Sequence, residues 1–250
     1  MPKTWSSVVQ RLEGHGDSVY DMAQALIKRW LATASSDNTV KIWDLVSGNC
    51  LYTLDSHSPM TTELRYPTIK EIESLPEEMR HIGQVPLKKQ NGVKSVHISA
   101  DETLLAYGLV DGTIRVWNLW KSEKPSPLCT LEAEWVDGAP RAVVSVSLSN
   151  SGKLVSVVNF NLSIKVWDLS TVSCIRALQG HTRQITKAVI SSDGTRVASC
   201  SLQGSIRIWC PMTGKCLRTL LEGTGSIHCI VFSPDRRRLA SSTKYNTVQL

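Results

Sequence analysis

Four side chains near the start of the chain have types and spacing that could form a catalytic site. They are His15, Ser35, Asp37 and Trp43, within the stretch GHGDSVYDMAQALIKRWLATASSDNTVKIWD. A serine, a histidine and an aspartate together suggest a hydrolase triad, which also needs an exposed nucleophile and an oxyanion hole. The sequence contains no GxSxG elbow to supply them. A buried polar network with matched donors and acceptors is the favoured interpretation, and no catalytic residue is assigned.

Short strands are predicted to position these side chains. Apolar runs at 19–23, 31–34 and 40–43 are separated by polar residues, with a turn at Ser36-Asp37-Asn38. Apolar and polar residues alternate in TVKIW at 39–43, which is the period of a half-buried strand. A fourth apolar run follows at 50–54.

The same pattern returns along the chain at intervals marked by its tryptophans. Strands of the IKIW type end at Trp43, Trp117, Trp167 and Trp209, which are 74, 50 and 42 residues apart. A fifth such strand, TVQL, ends at Leu250. The base period is therefore close to 42 residues, with insertions in the first two steps, and each unit holds four short strands.

A GH opening, a WD close and this period together resemble the WD-repeat β-propeller family. The best copies are Gly14-His15 with Trp43-Asp44, and Gly180-His181 with Trp209. The resemblance implies an all-β fold in which residues 1–250 form a single propeller domain of about five four-stranded blades. The expected repeats are 14–54, 92–131, 141–178, 180–220 and 223–250, with an insertion between blades at 56–90.

The two ends of the chain are expected to meet. Residues 8–12 match residues 174–178, which form the last strand before the second GH dipeptide, whereas the fifth unit supplies three strands. In the family an N-terminal strand completes the last blade, so strand 8–12 is expected to pair there. Seven blades are the commonest number in the family. The chain could therefore close as a small ring, remain an open arc or be part of a longer protein, and the last is favoured.

The resemblance also implies roles for the polar side chains. Histidine is expected to bridge the serine hydroxyl and the turn aspartate, and the tryptophan N–H to complete the chain. The positions expected in this structural network are His15, Ser35, Asp37, Trp43, Asp111, Trp117, Trp167, His181, Ser201 and Trp209. Only the first copy is complete.

A partner-binding face is implied at the loops entering each first strand and at the turns between second and third strands. Carried over by position, it comprises Tyr20, Ser36, Lys94, Val110, Val144, Phe160, Thr186, Leu202, His228 and Lys244. Tyr20 and Phe160 are the expected anchors, because aromatic residues dominate interface energetics. For Phe160, Leu202 and Val110, packing against a neighbouring loop is an equal alternative.

The charge favours protein or peptide partners over nucleic acid. The net charge is +6, but the basic residues are spread through the repeats. Lys41, Arg115, Lys165 and Arg207 each precede a repeat tryptophan by two residues, which is typical of a solvated or packing position. The one tight cluster, 236–238, follows a predicted turn, and an exposed turn explains it.

The remaining sequence features predict no cofactor, no metal site and no membrane span. The seven cysteines include no CxxC pair, and several recur at one strand position, which favours free thiols in a reducing compartment. A cytoplasmic location is expected, and the nucleus remains open. The insertion at 56–90 carries four prolines and is interpreted as a partner-binding arm or an unstructured loop.

The opening PKTWSSVVQRLEGHGDSVY and the phrase DNTVKIWDLVSGNCLYTL resemble the repeat arrays of fungal heterokaryon-incompatibility (NACHT–WD) proteins. The predicted function is accordingly a non-enzymatic scaffold or sensor module for protein–protein interactions. Two alternatives remain open. One is a propeller adaptor associated with RNA or chromatin, and the other is a fungal adaptor of the mitochondrial-fission type.

Overall fold

A computed structural model describes residues 10–25, 27–56, 92–119, 124–132, 141–158, 162–221, 225–243 and 248–249. Within these ranges the chain forms five antiparallel sheets, in the order of the sequence. Most of the insertion at 56–90 lies outside the described residues, so neither interpretation of it is tested. Among the described residues, no helix is long and apolar enough to cross a membrane.

Each sheet is a meander whose strands pair in sequence order. The first sheet comprises β1 (Val19–Ala25), β2 (Trp30–Ser35), β3 (Thr39–Asp44) and β4 (Cys50–Asp55). The second comprises β5 (Val93–Ile98), β6 (Leu104–Leu109), β7 (Thr113–Asn118) and β8 (Ser126–Glu132). The third comprises β9 (Val143–Leu148), β10 (Lys153–Val158), β11 (Ser163–Asp168) and β12 (Ser173–Gln179). The fourth comprises β13 (Ile185–Ile190), β14 (Val197–Ser201), β15 (Ser205–Trp209) and β16 (Cys216–Leu221), and the fifth β17 (Ile227–Phe232), β18 (Leu239–Thr243) and β19 (Val248–Gln249).

Burial follows the order of the strands within each sheet. The second and third strands are the most buried, and the alternation expected of Thr39–Asp44 is present, with Val40 and Ile42 fully buried. The fourth strand lies outermost and is largely exposed, as in β4. The expected all-β arrangement of short antiparallel strands is therefore confirmed.

The sheets stack side by side through their first strands, in the succession β1, β5, β9, β13 and β17. Four apolar clusters fill the four interfaces between neighbouring sheets. Each cluster joins residues of two repeats, so a single repeat cannot bury its own apolar face.

The first and fifth sheets leave apolar positions uncovered. Met22 of β1 is 67% exposed, whereas its counterparts Val96 and Ala188 are 3% and 1% exposed against the preceding sheet. At the other end Val231 of β17 is 54% exposed, although its counterpart Val189 is 7% exposed. Among the described strands, β17 and β1 do not pack as the four neighbouring pairs do, so the described sheets form an open arc.

The expected pairing of strand 8–12 with the last sheet is not tested. Residues 8 and 9 lie outside the described ranges, and residues 10–12 are not part of a strand. The Gln10 side chain nevertheless lies against Gly48, in the turn before β4. Arg176 of β12 lies in the same way against Gly214 of the next sheet. Gln10 therefore occupies the position of an outermost strand preceding the first sheet.

Candidate functional site

His15 is the centre of a hydrogen-bonded network in the first sheet. Its Nδ1 lies 2.8 Å from Asp37 Oδ2, and its Nε2 lies 2.7 Å from the hydroxyl of Thr33. The Trp43 indole N–H donates to the same hydroxyl over 2.8 Å. With a neutral imidazole, Nδ1–H donates to Asp37 and Nε2 accepts from Thr33, which leaves the Thr33 oxygen to accept from Trp43. Every donor then has an acceptor.

Gly14 allows this network to form because the tryptophan ring packs against its backbone. A Cβ atom at residue 14 would lie 3.2 Å from Trp43 Cη2, and the residue has a φ of +150°. Gly180 stands in the same relation to Trp209, with a distance of 3.3 Å. The GH dipeptide thus combines close approach to the ring with a histidine that reaches the strands.

The expectation that Ser35 supplies the bridging hydroxyl is wrong, because that hydroxyl belongs to Thr33. Trp43 pairs with Leu31 in the adjacent strand, and its indole nitrogen reaches the side chain two residues further along. Ser35 lies one pleat beyond and is fully buried. It donates to the Asp17 carbonyl and accepts from the Asp37 amide, both over 3.1 Å, and so holds the turn.

The same correction applies to the fourth sheet, where Ser199 replaces Ser201. His181 Nε2 lies 2.7 Å from the Ser199 hydroxyl, which accepts from Trp209 Nε1 over 2.8 Å. The Ser201 hydroxyl instead lies 2.9 Å from that of Ser205. In both sheets the bridging residue pairs with the basic residue that lies two positions before the tryptophan: Thr33 pairs with Lys41, and Ser199 pairs with Arg207. The position of the basic residue in the sequence could therefore have identified the bridging hydroxyl.

The second and third sheets keep only part of the network. Trp117 donates to the hydroxyl of Tyr107 over 3.3 Å, and Trp167 donates to that of Ser156 over 2.9 Å. Asp111 accepts from the backbone and side chain of Thr113 and so stabilises its turn, and no histidine among the described residues contacts it.

The two histidines have different electrostatic surroundings. Burial alone would raise the pKa of Asp37, but hydrogen bonds from Thr39, the Gly16 amide and His15 hold it well below its ordinary value. In the fourth sheet Gln203 stands in the aspartate position and accepts from Thr182, so His181 has no carboxylate partner within the described part of the chain. Burial, with the nearby charge of Arg207, lowers the pKa of His181 to about 4.

The hydroxyl that His15 Nε2 contacts is not an accessible nucleophile. The Thr33 side chain is buried, at 8% exposure, and its oxygen already contacts His15 and Trp43. A triad needs an exposed hydroxyl beside the histidine. The arrangement therefore cross-links three segments of the first sheet rather than presenting a reactive group.

Five of the residues predicted to face a partner occupy the same structural position. In every first strand one residue is skipped in the pairing with the second strand, which is a β-bulge. The skipped residues are Tyr20, Lys94, Val144, Thr186 and His228. We call these five residues the bulge face. A bulge redirects a side chain out of the strand pattern, and bulges are over-represented beside functional sites.

The predicted turn residues lie next to the bulge face where they are described. The amides of Ser36, Val110 and Leu202 donate to carbonyls in the loop that enters the first strand, over 2.9 to 3.0 Å. Leu202 is 41% exposed, whereas Ser36 and Val110 are half-buried. Phe160 and Lys244 lie outside the described residues.

Tyr20 and Lys94 form the best-defined contact of this face. The Lys94 ammonium lies 3.3 Å from the centre of the Tyr20 ring, in cation–π geometry. The Lys94 ammonium beside the ring lowers the pKa of the Tyr20 phenol. Tyr20 remains 49% exposed, and Val19 and Met22 beside it are 51% and 67% exposed. Sequence reasoning missed Val19 and Met22 because their counterparts in the other repeats are buried.

Thr186 differs from the other bulge residues because its hydroxyl is already engaged. It donates to the Ile227 carbonyl over 2.6 Å and so joins the fourth sheet to the fifth. One position further, the Lys187 ammonium lies 4.0 Å from Asp21 Oδ1 of the first sheet. Asp21 also accepts from the Val96 amide over 3.1 Å. The Lys187–Asp21 pair lies on β13 and β1, two of the strands that carry bulges. The spacing of residues within one repeat could not reveal it, because its members belong to different repeats.

Comparison with known proteins matches the repeats to one family model. The model described as "WD domain, G-beta repeat" matches residues 6–44, 84–118, 172–210 and 214–250. Together the four matches cover more than half of the chain. Most of the third sheet lies between the second and third matches.

Several curated proteins are similar to the chain. It is 34% identical over 176 residues to the nuclear distribution protein PAC1 of Arthroderma benhamiae, covering 68% of this chain and 31% of that protein. It is 25% identical to the target of rapamycin complex subunit wat1 of Schizosaccharomyces pombe, covering 64% and 54%. It is 26% identical to the WD repeat-containing protein pop2 of the same organism, covering 69% and 23%. The chain thus spans about half or less of the length of these relatives.

Proposed function

Because this chain belongs to the WD-repeat family, we propose that it is a non-enzymatic interaction scaffold or sensor module that binds a partner protein through the bulge face. The observation that carries the proposal is the recurrence of one β-bulge in all five first strands, at the five predicted positions. Five redirected side chains held by rigid sheets form a pre-organised surface, and such a surface loses little entropy on binding.

The chemistry of this face suits a peptide segment with apolar and acidic side chains. Tyr20, Met22 and Leu202 supply exposed apolar area, and Lys94 supplies a positive charge held against the Tyr20 ring. Aromatic residues in such settings act as binding hot spots. The name of one relative describes it as a subunit of a complex, which supports a role in assembly.

The buried polar networks support a structural role for His15 and His181. Such networks stiffen the sheets, and a scaffold needs a rigid framework. The fungal heterokaryon-incompatibility arrays supply the model for the sensor role, and the three relatives named above are fungal proteins. We also propose a cytoplasmic location. All seven cysteines are free, which suits a reducing compartment.

Quantitative affinity capture tests the proposed face. Cell extract of a fungal host is passed over the wild-type chain, Tyr20→Ala and Leu217→Ala, and bound proteins are quantified by mass spectrometry. Leu217 is 54% exposed on the outermost strand β16, so it is a control for loss of exposed apolar area. We expect Tyr20→Ala to reduce capture of the main partner about tenfold or more, as for an interface hot spot, and Leu217→Ala to retain it.

Two results would oppose this proposal. Equal capture by wild type and Tyr20→Ala would remove the bulge face from the interaction. Tight binding of generic RNA that weakens steeply between low and moderate salt would instead favour a nucleic-acid adaptor, because phosphate contacts release counterions.

A further inference from the structure

A second surface lies at the opposite ends of the first strands, where β13 turns into β14 and β17 turns into β18. Residues 191–196 and 233–238 form these turns on one plan. In each, a serine hydroxyl donates to the aspartate two residues later, over 2.6 Å for Ser191 and 2.5 Å for Ser233. The serine hydroxyl oxygen also accepts a hydrogen bond from a backbone N–H, that of Arg196 in the first turn and that of Arg238 in the second, both within 3.0 Å. Both turns are therefore internally braced.

One residue of the second turn, Arg236, has a left-handed backbone conformation without being a glycine, as has Glu102 at the matching position of the second sheet. Gly152 and Gly194 occupy the left-handed position in the turns of the third and fourth sheets, with φ of 71° and 72°. Arg236 occupies it in the fifth sheet, with φ of 60°, although an arginine disfavours this conformation. Its guanidinium reaches across to the fourth sheet and lies 2.7 Å from Asp193 Oδ2. The ion pair fixes the two turns side by side.

An open cleft of about 340 Å³ lies between the two turns. Its lining residues are Ser191, Asp193, Thr195, Arg196, Arg236 and Arg237. Three arginines thus face one aspartate, and that aspartate already holds Arg236. Arg196 and Arg237 are exposed, and neither side chain has an ion-pair partner among the described residues. Two free guanidiniums beside a braced Arg–Asp pair form a site for anions.

We propose that this cleft binds an acidic segment of a partner protein, with glutamate or aspartate carboxylates engaging Arg196 and Arg237. Guanidinium groups match carboxylates in paired hydrogen bonds, and Arg236 already donates one hydrogen bond to the Asp193 carboxylate inside the cleft. The cleft volume accommodates a few side chains rather than a long polymer.

A nucleic-acid ligand fits less well. None of the described residues that line the cleft is aromatic, so none offers a ring for a base to stack on, and the Asp193 carboxylate faces any phosphate that enters. The Asp235 carboxylate in the second turn also adds negative charge, since it accepts from Ser233 and the Arg237 amide. The cleft is independent of the bulge face, because the two lie at opposite ends of the same strands.

Fluorescence anisotropy with defined probes tests the proposal. The probes are a labelled glutamate decapeptide, a labelled glutamine decapeptide and a labelled uridine decamer, each measured against the full chain at low and moderate salt. We expect the glutamate peptide to bind, the glutamine peptide to fail, and the double variant Arg196→Gln/Arg237→Gln to weaken binding about tenfold or more. Arg183→Gln, an exposed arginine before β13 at the opposite end, should change the affinity less than about twofold.

A variant that is expected to bind the glutamate peptide more tightly gives a sharper test than one that loses binding. Asp193→Asn keeps the side-chain oxygen that braces its turn but removes the charge that holds Arg236. We expect this variant to bind the glutamate peptide a few-fold more tightly, which loss of structure would not produce. Unchanged affinity in the double arginine variant, equal binding of the glutamine peptide, or tighter binding of the uridine decamer would each overturn the proposal. The variant Tyr20→Ala should leave this binding intact, so failure of the bulge face is distinguishable from failure of the cleft.

Discussion

Replacing Thr33 with valine removes the hydroxyl on which the first network converges while keeping the shape of the side chain. The substitution leaves the Trp43 N–H without an acceptor and His15 Nε2 without a partner. Both groups lie in the interior, with Trp43 2% exposed and the His15 side chain 7% exposed. Water therefore cannot replace the lost partner without opening the sheet.

The expected cost follows from the two groups left without partners. An unsatisfied buried polar group costs about 1–3 kcal/mol, so Thr33→Val should lower the free energy of unfolding by roughly 2–4 kcal/mol. Ser35→Ala removes two hydrogen bonds to backbone groups at the turn and should cost less, about 1–2 kcal/mol. The ranking of the two variants distinguishes the observed network from one centred on Ser35.

Urea unfolding followed by tryptophan fluorescence measures both variants. Thr53→Val is the matched control, because Thr53 lies exposed on β4 and contacts only side chains at the surface. The control should stay within about 0.5 kcal/mol of wild type. A Thr33→Val variant as stable as the control, or less affected than Ser35→Ala, would refute the central role of Thr33.

Two further perturbations test the folded-state electrostatics. Because the pKa of His181 in the folded state is about 4, below its ordinary value of 6.5, the unfolded chain binds the proton first, so stability should fall as pH drops from 6.5 towards 4. Urea midpoints across that range should show a slope of up to about 1.4 kcal/mol per pH unit for this residue, and His181→Gln should flatten it; an unchanged slope would contradict the assignment. Glu102→Ala should cost about 2–4 kcal/mol, because this 5% exposed carboxylate accepts the amides of Ile27 and Lys28 and joins the first two sheets. Glu132→Ala, at an exposed position on β8, is its control, and equal stability of the two variants would oppose that role.

The sequence predicted the sheets because their signal is local and repeated. Each of the four repeat tryptophans lies at the end of a strand in which apolar and polar residues alternate. The spacing between copies of this strand then locates the other strands of each repeat. The identity of the bridging hydroxyl was mispredicted because Ser35 and Thr33 lie on the same face of one strand, and strand alternation cannot separate two positions one pleat apart. The choice depends on the reach of the Trp43 side chain, which is a property of packing.

Contacts between repeats were beyond sequence reasoning for a different reason. The Lys187–Asp21 pair and the Arg236–Asp193 pair each join separate sheets, so their partners have no fixed spacing in the chain. The basic cluster at 236–238 was interpreted as an exposed turn, which the structure confirms. The other side of the cleft is the turn that contains Asp193, which lies 43 residues away from Arg236 along the chain. Only the stacking of the sheets places them together.

Site-specific photo-crosslinking tests whether the bulge face contacts a partner protein. A photoreactive phenylalanine analogue is placed in cells at position 20 on the bulge face or at position 217 on the outermost strand, and the crosslinked products are separated by mass. We expect a discrete protein adduct from position 20 that is absent from position 217. Adducts at position 217 without any at position 20, or adducts to RNA alone, would contradict it.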